Sequence, residues 1–146
     1  MEKTEILSEL NSARSQLETY RAKLRTLEEK LAAVDAFSAQ CASRIRSFEE
    51  SMGRRKSRLL SFESLLSRVK AAAKYKDKMS NMLNGSEYNA TVASIDHLQT
   101  SISSERRKVI EDIRYVEDQI AYYESRVESL QYQYDTYPEE VDESVQ

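Results

Sequence analysis

Tryptophan is absent from this chain, and its 146 residues hold only two Gly, one Pro, one Cys and one His. So few turn-forming residues exclude a β-sandwich or an α/β sheet, whose strands are punctuated by Gly and Pro. A single cysteine, Cys41, excludes an internal disulfide framework, and its distance in sequence from the lone His97 makes a poor metal-ligand set. No apolar run approaches the roughly 18 residues of a membrane span, and the opening MEKTEILSEL lacks the basic and apolar regions of a signal peptide. A cytoplasmic location is therefore expected, any export needing a route without a cleaved leader. There is also no Gly-rich phosphate loop, no nucleophile motif and no repeated His or Cys spacing, so neither enzymatic activity nor a cofactor is expected.

What the chain does have is charge and periodicity. Charged residues make up 32% of it, a composition that suits long helices and coiled coils. From Leu10, positions three and four apart in alternation are Leu10, Ala13, Leu17, Tyr20, Leu24, Leu27, Leu31, Val34, Ser38, Cys41, Ile45, Phe48 and Met52. Ser38 alone breaks this apolar seam. A second seam runs Tyr88, Val92, Ile95, Gln99, Ile102, Arg106, Val109, Ile113, Val116, Ile120, Tyr123, Val127, Leu130, Tyr134 and Tyr137, interrupted at Gln99 and Arg106. Such sustained 3.5-residue spacing predicts left-handed coiled-coil packing.

The expected fold is all-α, a long antiparallel helical hairpin with coiled-coil character. Its first helix would span about 4–82 and its second about 87–135. The first seam's phase survives Gly53, whose cost of about 1 kcal/mol a packed helix absorbs; a kink there, or a break giving three helices, is the alternative. Asn84-Gly85 can take the left-handed conformation that ends a helix, and Ser86 is a good N-cap, so Leu83-Asn84-Gly85-Ser86 is read as the hairpin turn. Residues 1–137 then form one helical-hairpin domain, and the acidic segment 138–146, beginning at Pro138, is expected to be disordered.

Charge supports the pairing of the arms. Residues 1–83 carry 17 basic and 11 acidic groups, residues 84–146 only 5 against 14. Opposite net charges favour the hairpin, although each exposed ion pair contributes only about 0 to 1 kcal/mol.

On this layout the second arm, folding back from Asn84, reaches only to about Val34 and leaves Glu5–Leu31 without an intramolecular partner. That overhang carries the regular leucines Leu10, Leu17, Leu24, Leu27 and Leu31. An exposed seam of this kind is expected to bury itself in another chain, either a second copy or a larger helical protein. Tyr115, Tyr122 and Tyr132 fall off the second seam and are further candidates for a partner interface, since tyrosine offers large contact area at low entropic cost. The basic run Gly53-Arg54-Arg55-Lys56-Ser57-Arg58, with Lys70, Lys74, Lys76 and Lys78, suits a solvated helix face facing the acidic arm better than a nucleic-acid site, given the net charge of −3.

Leu83-Asn84-Gly85, followed by Tyr88, Asn89 and Ala90 at a helix start, resembles the turn of the small helical-hairpin proteins of type VII secretion systems, the Trp-x-Gly family and its Leu-x-Gly relatives. The resemblance implies a cytoplasmic or co-exported adaptor that binds the helical N-terminal region of a Leu-x-Gly toxin and helps present it for secretion. The chain departs from the family's export signal: the residues four positions after Tyr132, Tyr134 and Tyr137 are Thr136, Pro138 and Val141, none of them acidic. A self-associating structural coiled coil, a spacer or scaffold, is the other reading of the same seams.

Overall fold

The computed structural model describes residues 1–63 and 70–139. They form an all-α helical hairpin of three helical segments, α1 (Lys3–Glu63), α2 (Lys70–Asn84) and α3 (Ser86–Asp135), with no strand among the described residues. At the start of α1 the Glu2 amide donates to the Glu5 carboxylate at 3.2 Å, half of a capping box that satisfies an amide the helix itself leaves unpaired. At the other end, α3 stops where the sequence makes it stop. The Thr136 amide still donates to the Tyr132 carbonyl, the Tyr137 amide donates to Tyr134 in a tighter turn, and Pro138, lacking an amide hydrogen, follows.

Both seams are realised residue by residue. Every position of the first from Leu10 to Met52 is buried or half-buried, and the residues between them are exposed except Ser51. In the second, only the two interruptions, Gln99 and Arg106, are exposed. Gly53 neither breaks nor ends α1, which continues ten residues beyond it. A Cβ at Gly53 would meet nothing within 4 Å, so this glycine is a tolerated weak point on an open face.

The chain divides into two compact units, each drawing on both arms. Unit 1 comprises Met1–Leu31 and Lys108–Gln146. Within it Ile6, Leu10, Ala13 and Leu130 form a buried cluster against which Tyr123, Val127, Tyr134 and Tyr137 pack. The helices are antiparallel here: Lys3 lies over the ring of Tyr134, Glu9 pairs with Arg126 at 2.9 Å, and Arg21 pairs with Glu124 at 3.2 Å. These pairs are half-exposed and orient the helices more than they stabilise them.

Unit 2 comprises Ala32–Arg107. It too pairs α1 with α3 in antiparallel fashion: Asp35 accepts from Arg106 at 2.8 Å, and Phe48 stacks on Tyr88 with ring centroids 6.3 Å apart. Lys56 lies over the Tyr88 ring, 5.5 Å from its centroid. Leu83, 1% exposed, is its one fully buried residue among those described, whereas unit 1 buries seven.

These contacts correct the expected turn. On a straight first helix reaching Met82, Tyr88 would lie against residues near Ser80; it stacks instead on Phe48. Nor does Gly85 adopt a left-handed conformation, since no residue among those described has positive φ. One residue separates α2 from α3, fewer than the two to five that reverse direction between antiparallel helices. Leu83-Asn84-Gly85 therefore marks a bend in the second arm and not the hairpin turn. Residues 64–69, between α1 and α2, lie outside the described residues, as does the acidic segment 140–146.

Glycine is nonetheless required at the bend, for a different reason. Its carbonyl accepts from the Asn89 amide at 3.1 Å, which makes Gly85 itself the N-cap of α3 and places Ser86 inside the first turn. A Cβ on Gly85 would collide with the Asn81 carbonyl oxygen. Close approach of backbone to backbone, rather than positive φ, is what excludes a side chain.

Candidate partner-binding surface

The register that moves the turn also moves the leucines. Leu10 is 1% exposed and Leu17 7%, both inside unit 1. Leu24, Leu27 and Leu31 are half-buried on the same seam. The expected free overhang from Glu5 to Leu31 does not exist, because α3 covers it: Leu10 shares a core with Leu130, and Tyr20 stacks on Tyr123. The leucines selected as a partner interface serve first as the intramolecular core. The heptad pattern marked them correctly as residues that must be covered, but it does not say by which helix.

The three off-seam tyrosines behave differently. Tyr115, Tyr122 and Tyr132 are 59%, 57% and 70% exposed. Tyr115 and Tyr122 lie seven residues apart, two turns of helix, and so share a face of α3. Tyr132, ten residues further on, is rotated away by roughly 80° on a 3.6-residue helix.

Around Tyr115 and Tyr122 the structure gathers a continuous aromatic strip that crosses from one helix to the other. Tyr122 meets Tyr123 edge-on, centroids 5.0 Å apart at 83°; Tyr123 stacks on Tyr20 at 5.7 Å and 23°. Tyr115 lines the same groove as Tyr20. Partial desolvation, then the neighbouring phenols of Tyr115 and Tyr123, raise the Tyr20 hydroxyl above the ordinary value of 10.0. Lys23 reaches over the Tyr20 ring at 5.1 Å, one helical turn along α1.

Beside this strip a groove opens between α1 and α3 of unit 1. Ala22, Leu27 and Val116 form its apolar floor, while Thr19, Thr26, Lys23 and Asp112 supply polar groups around it. Sequence reasoning found the exposed tyrosines by their phase but missed Tyr20 and Tyr123, which it assigned to packing alone. Their signal was the cross-helix juxtaposition, which depends on register.

Other residues flagged by type fall outside any such constellation. Cys41 is half-buried and free, on the seam where its phase put it. His97 is exposed. Of the basic run, Arg54 and Arg58 are exposed on α1, while Lys56 is engaged over Tyr88. Among the described residues there is no group of three His, Cys, Asp or Glu side chains able to hold a metal ion, and no helix is long and apolar enough to cross a membrane.

No family model matches the chain, and comparison with curated proteins and with solved structures returns no match.

Proposed function

We propose that the chain is an interaction protein, a helical-hairpin adaptor that holds a helical segment of a larger protein along the tyrosine strip of unit 1. The observation that supports this reading is the pair of largely exposed rings, Tyr115 and Tyr122, the second joined to Tyr20 through Tyr123 and the first lining an apolar-floored groove with Tyr20. Tyrosines supply interface area with two side-chain torsions to order, and each keeps a hydroxyl for a polar partner. An apolar side chain of the incoming helix would enter over Leu27 and Val116, with Lys23 and Asp112 reading polar groups at its edge.

The narrower form of the proposal is an adaptor for a Leu-x-Gly toxin in type VII secretion, acting in the cytoplasm or leaving the cell with its partner. It retains the tripeptide Leu83-Asn84-Gly85 but not the hairpin turn at which that family carries it, so the partner's identity must come from its capture. Tagged full-length chain would be used to recover partners from native lysate, beside a variant carrying Tyr115→Ala and Tyr122→Ala. The expected result is a larger protein with a helical N-terminal region, recovered by the parent chain and lost from the variant. Equal recovery by both would end the tyrosine-strip reading.

A further inference from the structure

Unit 2 leaves an apolar ridge uncovered. Phe37 on α1 and Leu98 on α3 stand side by side, 51% and 37% exposed. They are shared by two adjoining hollows, one lined also by Ala33, Val34, Ile102 and Glu105, the other by Cys41, Ile45 and Arg44. Single exposed apolar side chains are ordinary, but two large ones lining the same two hollows, which continue the apolar surface, form a patch. Its location matters: among the described residues unit 2 fully buries only Leu83, and the seam residues beneath the ridge, Val34, Cys41, Ile45 and Ile102, are no more than half-buried. Two paired helices cannot enclose a seam from both sides; four can.

We infer that this ridge binds a second copy of the same chain, in a two-fold symmetric dimer whose helices from the two copies complete a four-helix core around unit 2. The choice of a second copy rests on the polarity of the patch. Arg44 lies at one end of the ridge and Glu105 at the other, along antiparallel helices. A two-fold axis perpendicular to the helices exchanges the ends, laying Arg44 of each copy over Glu105 of the other, as an isologous interface requires. The Phe37 ridge of each copy then enters the hollow lined by Cys41 and Ile45 in its partner. Cys41, the chain's one thiol, lies close to the axis in this arrangement. The residues differ from those of the tyrosine strip, so dimerisation and adaptor function stand or fall separately.

The test is the mass of the full chain in solution by sedimentation equilibrium, with helicity followed in parallel. The parent chain should be dimeric at micromolar concentration, and Phe37→Glu with Leu98→Glu should be monomeric and still helical. Arg44→Glu and Glu105→Arg should each weaken the dimer by about tenfold, and their combination should restore most of that loss. Because the two side chains sit at opposite ends of the ridge, contact between copies explains a restoration. A monomeric parent, or a dimer that survives Phe37→Glu with Leu98→Glu, would overturn the inference; failure of the charge exchange to restore would overturn the symmetric arrangement.

Discussion

Tyr20 stacks on Tyr123 across unit 1 with ring centroids 5.7 Å apart, and Tyr115 lines the same groove beside it. The contact couples α1 to α3 through groups that titrate, and this gives stability an alkaline signature. Tyr20 holds its proton more tightly folded than unfolded, because desolvation and two neighbouring phenols disfavour the phenolate. The folded state therefore binds more protons once pH exceeds the ordinary 10.0, and the stability present below that value is lost as pH rises through the higher folded value. Denaturant midpoints measured from about pH 9 to 11 should fall with pH in the parent chain and fall less steeply in Tyr20→Phe. Parallel slopes would show that Tyr20 is not the group responsible.

The two glycines should respond in opposite directions to the same change. At Gly53 a methyl group meets open space within a continuous helix, so Gly53→Ala should stabilise by about 0.5 to 1 kcal/mol. At Gly85 the same methyl would be driven into the Asn81 carbonyl, and Gly85→Ala should destabilise by about 1 to 3 kcal/mol as the bend readjusts. Thermal midpoints of the two variants, compared with the parent, should move apart.

Truncation of core and strip residues should separate folding from binding. Leu10 is 1% exposed in the unit 1 cluster, so Leu10→Ala should cost about 2 to 5 kcal/mol of unfolding free energy. Tyr122→Ala removes a ring that is 57% exposed and should change stability by no more than about 0.5 kcal/mol. Urea unfolding measures both. A large loss at Tyr122 would recast the exposed strip as structural.

How much of this was legible depends on range. Heptad phase is local information, and it placed Leu10, Leu17, Phe48, Val109 and Leu130 on covered faces, and Tyr115 and Tyr122 on open ones, without error. Register is not local. Any stretch of the first seam could in principle face any stretch of the second, and the choice fell on the strongest turn signal, Asn84-Gly85. That dipeptide proved to be a bend, where Gly85 is needed to let the backbone pass Asn81. The covering of Leu10 and Leu17 within unit 1 was missed through this one shift of register, and the tyrosine strip, which needs Tyr20 opposite Tyr123, was hidden by it.

That shift reverses the expected result of an N-terminal deletion. Were the first 30 residues a free overhang, removing them would leave the hairpin intact. In the observed register they contribute Ile6, Leu10 and Ala13 to the cluster closed by Leu130, and Tyr20 to the stack with Tyr123. A chain lacking residues 1–31 would expose the apolar face of α3 from Val109 to Tyr134, with nothing to offset the entropy of holding it helical. Helical circular dichroism should fall by more than the deleted residues account for, and hydrogen exchange along 108–135 should lose its protection while the parent retains it. Retained protection in the truncated chain would mean that α3 finds its cover elsewhere, and the pairing of Leu10 with Leu130 would then not be what holds unit 1 together.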